Sequence, residues 1–270
     1  MDDFSPRRRD VKQENAFSSL KRMKTDLNLS EILVIFTTTA AQMSIPGLYD
    51  PVSITLRALL LSELVLCGGI AIDKDDIIVA RDTYMPLDSI HDEVHGNIRK
   101  AVHPKSVNTW LKLLNGESYS IKKDKYHVRN TRKRIGKCLV EKKILKRSKS
   151  KTREFINLVA NRGQVVSNEE VAFKGVKSKI ILDLTAYLTG ESQYEDRDIL
   201  KLDIIVCALV FCCFIDDLYL TLSPRASGIA QKKVGEIISK YKSLFVDTER
   251  STEWGIHSIM RAYLKMSVGI

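Results

Sequence analysis

Residues Ser53–Ile72 read SITLRALLLSELVLCGGIAI, and this stretch predicts the centre of the fold. It begins as an almost wholly apolar helix whose only charges are Arg57 and Glu63, and Gly68-Gly69 is typical of a helix end. A helix that is apolar on every side is buried among other elements. We therefore expect a helical domain built around this helix, with its two charges facing a site, a partner or an edge.

The segments on either side are predicted to be mostly helical as well. Asn28 followed by Glu31 starts a buried helix that runs towards Met43, and Ser167 with Glu170 makes a capping box. Hairpin and helix patterns follow at residues 70–72 with 77–79, 178–188, 198–222, 224–245 and 253–266. The expected fold class is mostly α: a single compact helical domain with short β-hairpins, one of them projecting, over residues 27–270, after a flexible basic tail at residues 1–26.

Composition excludes several classes of protein. The 270 residues carry a net charge of +10 and are 44% hydrophobic, which is ordinary for a globular chain. The longest charge-free apolar run, Ile204–Ile215, is well short of the ~20 residues that a membrane-spanning helix needs. A secretory signal has an apolar stretch behind a basic start, and the first residues of this sequence lack that pattern. The expected location is therefore the cytosol or nucleus. The five cysteines form no C-x-x-C pair, and we expect buried free thiols.

Motifs of catalysis are missing from the sequence. It contains no G-x-S-x-G, no phosphate-binding loop and no dinucleotide fingerprint, so neither an enzyme nor a cofactor is expected. His91 and His95 lie one helical turn apart, as a metal pair requires, but Asp92 stands where the metalloprotease pattern has Glu. We interpret this segment as a surface helix face, without a metal.

The positive charge is concentrated in one segment. Residues 122–153 contain 15 Lys and Arg against two acidic residues. The net positive charge of this segment therefore exceeds that of the whole chain. Such a stripe is typical of a protein with a polyanionic partner, either nucleic acid or an anionic membrane. On a helix from Lys122 to Lys143 the predicted buried stripe is Val128, Thr131, Ile135, Cys138 and Leu139.

Two arginines flank that stripe. Arg129 and Arg132 would present two guanidinium groups side by side, and such planar forks grip phosphate oxygens well. Alternatively, both arginine side chains only extend along the edge of the core towards solvent and form no phosphate site. Arg57 on the central helix needs an anionic partner as well, which could be Glu63, another acid or a bound phosphate.

A second helix and hairpin unit follows the basic helix. Ile144-Leu145 starts a strand, residues 146–153 make a basic turn and Glu154–Val159 returns. Helix plus basic hairpin is typical of a winged-helix element, so a nucleic-acid-binding protein is the alternative function. Arg57 distinguishes a membrane-binding protein from a nucleic-acid-binding one, because a duplex binder has little use for a cation on its central apolar helix.

The central stretch, together with VNTWLKLLNGESYSIKKDKYHVRNTRKRIGKCLVEKKIL at residues 107–145, resembles the Golgi phosphoprotein family. The resemblance covers Leu27–Lys265 and is most specific at Trp110–Glu117 and at Arg129–Arg132. It implies a peripheral Golgi adaptor, not an enzyme, that binds phosphatidylinositol 4-phosphate and retains glycosyltransferases through their cytoplasmic tails. It also implies a place on the cytoplasmic face of the Golgi membrane with a soluble cytosolic pool, and no nucleic-acid partner.

The same resemblance implies the site residues. The phosphoinositide pocket would use Arg57, Arg129 and Arg132. The family tryptophan falls on Leu48 without a gap and on Tyr49 with a one-residue shift, and we choose Tyr49. A membrane-contacting and self-associating hairpin would carry Phe155, Ile156 and Leu158, and an N-terminal arginine cluster that engages the vesicle coat would be Arg7, Arg8 and Arg9.

Overall fold

The computed structural model describes residues 23, 26–38, 50–82, 84–85, 87–116, 124–147, 169–171, 174–243 and 251–267. Within them the helices are α1 (Leu29–Thr38), α2 (Pro51–Leu66), α3 (Ser89–Arg99), α4 (Val107–Asn115), α5 (Thr131–Glu141), α6 (Lys174–Thr189), α7 (Asp196–Phe211), α8 (Asp216–Tyr219), α9 (Pro224–Lys242) and α10 (Ser251–Ser267). The strands are β1 (Ile70–Ile72), β2 (Ile77–Ala80), β3 (Lys105–Ser106), β4 (Leu145–Arg147) and β5 (Glu169–Val171). The expected class, a mostly α single domain, is confirmed.

Helix α2 lies at the centre of this domain, as its sequence predicts. It packs against α1, α3, α4, α5, α7 and α10. Ile54, Leu60, Leu61 and Leu64 have no exposed surface and belong to one continuous hydrophobic core. Burying a side chain of this size contributes about 1.5–3 kcal/mol, so α2 organises the elements around it.

Local chemistry sets both ends of α2. Asp50 accepts a hydrogen bond from the Val52 amide at 3.0 Å, and Pro51 occupies the first turn, where its missing N–H costs nothing. At the other end Gly68 adopts a φ of 74°, and the Gly69 amide donates to the Leu64 carbonyl at 2.8 Å. The glycine pair therefore ends the helix as predicted.

Strands β1, β2 and β3 form a small antiparallel sheet in that order. The predicted hairpin is confirmed, with Ile70 opposite Ala80 and Ile72 opposite Ile78. The short β3 was not predicted, because two residues carry too little pattern to indicate a strand. It adds Lys105 and Ser106 to the outer edge of β2.

The basic segment differs from its prediction at both ends. Helix α5 begins at Thr131 and not at Lys122, because Asn130 adopts a left-handed φ of 55° that an α-helix cannot contain. Strand β4 pairs with β5, so residues 169–171 are a strand and the predicted capping box at Ser167 and Glu170 is wrong. Helix α6 begins only at Lys174. The predicted return strand, Glu154–Val159, lies outside the described residues.

The helix predicted over residues 198–222 is broken in two. Helix α7 ends at Phe211, Cys213 has a left-handed φ of 59°, and the short α8 follows. Cys213 is exposed, which corrects the expectation of buried thiols for this residue, whereas Cys207 and Cys212 are buried. Along the ranges that the structure describes, every helix is too short or too polar to cross a bilayer.

Candidate functional site

The candidate site forms where the first turns of α2 meet the end of α4 and the turn before α5. The Ser53 hydroxyl on α2 donates to the Asn115 side-chain oxygen at 2.7 Å, and this bond joins α2 to the last residue of α4. Gly116 then ends α4 with a φ of 82°. A methyl group at Gly116 would come within 2.8 Å of the His127 ring, so glycine lets the returning chain approach closely.

Arg57 lies inside this junction, and only 4% of it is exposed. Its Nε donates to the Leu114 carbonyl at 3.3 Å, and Nη2 donates to the Val128 carbonyl at 2.7 Å. Its Nη1 donates to the Ser53 carbonyl at 3.0 Å and to the Ser53 hydroxyl at 3.1 Å. These oxygen atoms supply acceptors that the sequence argument had sought in an acid or a phosphate.

Glu63, the other charge on α2, faces a different partner. Its carboxylate accepts hydrogen bonds from the Leu29 amide and, at 3.2 Å, from the Ser30 hydroxyl at the start of α1. It also lies 2.7 Å from His91 Nε2. Glu63 therefore anchors α1 and α3, and the alternative of an Arg57–Glu63 pair is not what the described contacts show.

The turn before α5 carries Arg129. Val128 is fully buried, and its amide donates to the Leu114 carbonyl at 3.1 Å. Its carbonyl accepts from Arg57 and, at 2.9 Å, from the Thr131 hydroxyl. Arg129 comes next and is exposed. Arg129 was predicted to lie on the helix, but it lies in the turn before it. It directly follows Val128, whose carbonyl accepts the hydrogen bond from Arg57.

Arg132 lies in the first turn of α5 and is half-buried. Its Nη2 donates to the Thr37 carbonyl at 3.1 Å, near the C-terminal end of α1, where a cation interacts favourably with the helix dipole. Burial raises the pKa of the Cys212 thiol to about 12, and the nearby charge of Arg132 acts in the opposite direction. Helix α5, which carries Arg132, packs against α2, the helix that carries Arg57.

Other cations on α5 and at its C-terminal cap are divided between ion pairs and solvent. Arg134 pairs with Glu93 of α3, and Lys142 lies 2.7 Å from the Glu31 carboxylate of α1. Lys133 and Lys137 are exposed, and within the described part of the chain neither makes an ion pair. The predicted stripe is confirmed for its helical part, since Thr131, Ile135 and Leu139 are buried and Cys138 is half-buried.

Several predicted site residues lie outside the described ranges. They are Leu48 and Tyr49 for the aromatic wall, Phe155, Ile156 and Leu158 for the hairpin, and Arg7, Arg8 and Arg9 for the coat. Asp50, which follows Tyr49, is described as the N-cap of α2.

His91 and His95 are buried, so the prediction of a surface helix face is wrong. His91 is fully buried between two carboxylates, with Nε2 2.7 Å from Glu63 and Nδ1 2.9 Å from Asp88. Burial would lower the pKa of His91, but its contacts with Asp88 and Glu63 raise it to about 9. His95 stacks on Tyr84 with ring centroids 4.4 Å apart. The described residues include no cluster of three or more His, Cys, Asp or Glu that could hold a metal.

Sequence reasoning missed the polar residues that support the arginines. Ser53, Asn115 and Thr131 are ordinary helix-end residues in the sequence, and the first two are 62 positions apart. The carbonyl groups of Leu114 and Val128 carry no sequence signal at all, because every residue has one. Only the packing of α2 against α4 and α5 shows that they converge on Arg57.

Comparison with known proteins gives a consistent result. A family model described as Golgi phosphoprotein 3 (GPP34) matches residues 33–202, which include all three arginines. The chain is 30% identical over 112 residues to the vacuolar protein sorting-associated protein 74 of Schizosaccharomyces pombe, covering 37% of this chain and 32% of that protein. It is 29% identical over 111 residues to the protein of the same name from Eremothecium gossypii, covering 37% and 33%. The chain thus spans about a third of the length of these curated relatives.

Proposed function

This chain belongs to the Golgi phosphoprotein 3 (GPP34) family, and from that premise we propose that it is a peripheral Golgi adaptor that binds phosphatidylinositol 4-phosphate. The family supports a Golgi-associated protein, and the name of the relatives supports a part in protein sorting. In the proposed role the protein is not an enzyme. It recognises a lipid headgroup, holds the cytoplasmic tails of glycosyltransferases and hands them to a vesicle coat.

One observation carries the lipid-binding part of this proposal. Arg57 is far from Arg129 and Arg132 in the sequence, yet its guanidinium donates to the carbonyl of Val128, the residue before Arg129, and Arg132 lies in the first turn of the helix that follows. Arg129 is exposed and Arg132, three positions later, is half-buried, so in this proposal both reach a phosphate monoester from solvent. A charged hydrogen bond to phosphate is about twice as strong as a neutral one, and the planar fork of Arg makes it directional.

Weaker contacts would add to this pocket. Lys133 and Lys137 extend from α5, which also carries Arg132, and each lysine near an anionic leaflet adds on the order of 1 kcal/mol. We propose that the apolar residues Phe155, Ile156 and Leu158 make a second contact with the bilayer, or with another copy of the chain. The sum of several weak interactions gives reversible recruitment and leaves a soluble pool.

The aromatic wall and the tail belong to the same proposal. Tyr49 would cover one side of the headgroup, next to the N-cap of α2. Arg7, Arg8 and Arg9 would engage the vesicle coat, with the lipid site left free on the folded domain. In this arrangement the tail and the folded domain of the adaptor bind different partners at the same time.

Vesicle flotation tests the lipid-binding step. The full-length chain is mixed with phosphatidylcholine vesicles that differ only in which phosphoinositide they contain, and with vesicles of equal charge made with phosphatidylserine. We expect the largest bound fraction with phosphatidylinositol 4-phosphate. Equal binding to all anionic vesicles would contradict the proposal, and equally strong binding to a DNA duplex with a steep salt dependence would favour the nucleic-acid alternative.

A further inference from the structure

We propose that the end of the domain remote from the headgroup site binds an acidic segment with apolar side chains that belongs to a cytosolic protein. The surface is the sheet-end patch, which consists of four exposed apolar side chains: Val79, Met85, Leu87 and Val102. Because the headgroup site fixes which surface meets lipid, the choice of a protein partner over a lipid one rests on the proposed function.

Exposed apolar side chains are concentrated in this patch. Among the residues that the structure describes, seven large apolar side chains are exposed, and four of them belong to the patch. Met85 is 81% exposed and Val102 is 78% exposed. Single exposed apolar side chains are ordinary, whereas a cluster of them marks an interaction surface, where Met is an enriched residue type.

An ion pair brings two members of the patch together. Arg99 at the end of α3 lies 3.1 Å from the Asp82 carboxylate, in the loop between β2 and α3. Met85 follows Asp82 by three residues, and Val102 follows Arg99 by three residues. Since three residues span at most about 10 Å, Met85 and Val102 lie on either side of this pair.

The sheet places Val79 beside them. Val79 pairs with the half-buried Ala71 of β1, so the two side chains share the outer face of the sheet. Strand β3 runs antiparallel to β2 with Lys105 opposite Ile78, so residues before Lys105 lie beside residues after Ile78. Val102 is therefore on the Val79 side of the sheet.

The described residues of the loop between β2 and α3 are held in place by the rest of the fold. The Arg81 amide donates to the Gly69 carbonyl at 2.9 Å, and the Arg81 carbonyl lies 3.1 Å from His95 Nε2. The Leu87 amide donates to the hydroxyl of Tyr84, the residue that stacks on His95. Apolar groups on a loop that is already ordered bind a partner at a lower entropic cost.

The patch and the headgroup site lie at opposite ends of α2. The headgroup site adjoins the first turns of α2, whereas Gly69, which holds the start of the loop, follows its last turn. A helix of 16 residues is about 24 Å long. A headgroup bound at one end therefore leaves the patch accessible to a protein at the other end.

The charges around the patch set the chemistry of that protein. Three cations lie within three positions of Val79 or Val102 in the chain: Arg81, Lys100 and Lys105. None of them makes an ion pair within the part of the chain that the structure describes. Complementary charge steers association and selects the partner, so the segment that binds beside Val79 and Val102 carries Asp or Glu.

The other side of the patch is different. Leu87 directly precedes Asp88, the N-cap of α3, and Asp92 lies in the first turn of that helix. Acidic residues of a partner would be repelled there. The apolar residues of the bound segment are therefore expected over Met85 and Leu87, and its acidic residues beside the three cations.

Peptide selection tests the chemistry of the partner. A phage-displayed library of random peptides is selected on the full-length chain, and the strongest binder, labelled with fluorescein, is the probe for later measurements. We expect the selected peptides to combine Asp or Glu with apolar residues. Selection of basic or purely polar peptides, or recovery of no binder, would overturn the inference.

Variants of the patch test where the probe binds. Met85→Ser and Val102→Asp should each weaken binding at least about tenfold in fluorescence anisotropy, and both positions are exposed, so the fold is kept. The matched control is Leu220→Ser, which changes a side chain that is 85% exposed on another part of the surface and should bind as the wild type does. Equal binding by the patch variants and the control would overturn the inference.

A lysine pair tests the role of charge. Lys100→Ala should weaken binding severalfold at low salt and have little effect at high salt, whereas Lys232→Ala, at an exposed position on α9, should leave binding unchanged. Equal losses in the two variants would mean diffuse attraction and would contradict the inference.

Co-flotation separates the patch from the lipid site. With phosphatidylcholine vesicles that contain phosphatidylinositol 4-phosphate, the labelled peptide should float only with the wild-type chain, while Met85→Ser itself floats normally. Loss of vesicle binding by Met85→Ser would place the patch at the bilayer, and a wild-type dimer that Val102→Asp dissociates would make a second copy the occupant; either result would overturn the inference. A wild-type chain that binds the peptide but shows no preference for phosphatidylinositol 4-phosphate would refute the proposed function and support the peptide site.

Discussion

At the scale of single residues, Arg129 and Arg132 give the sharpest test of headgroup binding. We expect the double change Arg129→Ala, Arg132→Ala to abolish the preference for phosphatidylinositol 4-phosphate and to leave the chain folded. Neither residue is in the core, and the loss of two charged contacts at roughly 1.5–3 kcal/mol each corresponds to at least two orders of magnitude in affinity. Vesicle flotation and far-ultraviolet circular dichroism measure the two effects.

The matched control for that prediction lies on α5, which also carries Arg132. Lys133→Ala, Lys137→Ala removes the same formal charge from exposed positions that make no ion pair within the described residues. Because diffuse attraction does not distinguish headgroups, this variant should bind all anionic vesicles somewhat less and keep its preference. If the arginine and lysine variants behave alike, α5 is a general polyanion surface and contains no pocket.

His91 predicts how stability depends on pH. Its pKa is raised from 6.5 to about 9, so its stabilisation is complete below pH 6.5 and is lost as the pH rises through about 9. Burial would raise the pKa of Asp88, but its contacts with His91 lower it from 3.8 to about 2, so that contribution is lost only as the pH falls from 3.8 through about 2. We expect the free energy of unfolding to decrease by a few kcal/mol between pH 6.5 and 9.5, and urea unfolding over that range measures it.

Two histidine variants identify the source of that pH dependence. His91→Gln should be less stable than the wild type at pH 6 and should show a much flatter alkaline limb, because the titrating group is gone. His103→Gln at an exposed position should leave the curve unchanged. A wild-type curve that is flat above pH 6.5 would mean that His91 is not held in its charged form.

At the scale of elements, the turn of the β1–β2 hairpin is held by α10. Asp76 accepts hydrogen bonds from the Ser258 hydroxyl at 2.6 Å and from Arg261 at 2.7 Å. The Trp254 indole donates to the Asp73 carbonyl at 2.8 Å. A hairpin of this size is marginal by itself, so these contacts across the fold decide whether it keeps its place.

Asp76→Asn tests that docking. Asparagine tolerates the left-handed φ of 60° at this position, so the change removes mainly the charged acceptor. We expect it to lower the free energy of unfolding by about 1–2 kcal/mol, as measured by urea titration. Asp75→Asn, one residue away and exposed, should cost less than about 0.5 kcal/mol, and equal losses in the two variants would exclude the contact with α10 as the cause.

At the scale of the whole molecule, the residue at which the tail ends predicts which N-terminal deletions leave the stability of the fold unchanged. The Met23 amide donates to the Asp198 carboxylate at 3.0 Å, and Met23 and Leu27 pack against the core. Deletion of residues 1–22 should therefore leave both the melting temperature and vesicle binding unchanged. The same deletion removes Arg7, Arg8 and Arg9 and should weaken capture of the vesicle coat.

A longer deletion provides the comparison. Removal of residues 1–27 also takes away Met23 and Leu27, and we expect the melting temperature to fall by several degrees because about 1–2 kcal/mol of packing is lost. A drop of that size already in the chain that lacks residues 1–22 would show that the tail is structural. Unchanged coat capture in the shorter deletion would remove the arginine cluster from the proposed mechanism.

What the sequence by itself determined were features carried by neighbouring residues. The apolar run of α2 predicted the centre of the fold, since a helix without a polar face has to be covered on all sides. Asn28 and Glu31 predicted the start of α1, where the Asn28 amide donates to the Glu31 carboxylate at 3.0 Å. The hairpin at residues 70–80 was also predictable, because its alternating pattern and polar turn are local.

Only the tertiary structure decided features that depend on distant parts of the chain. Strand β5 forms because β4 supplies its hydrogen bonds, and His91 is buried because Glu63, 28 positions earlier, faces it. One acceptor of Arg57, Val128, lies 71 positions away, and it is a backbone carbonyl that every residue type would offer. The sequence could thus show that a cation on a buried helix needs an acceptor, but the identity of that acceptor follows from which backbone atoms packing brings within 3 Å.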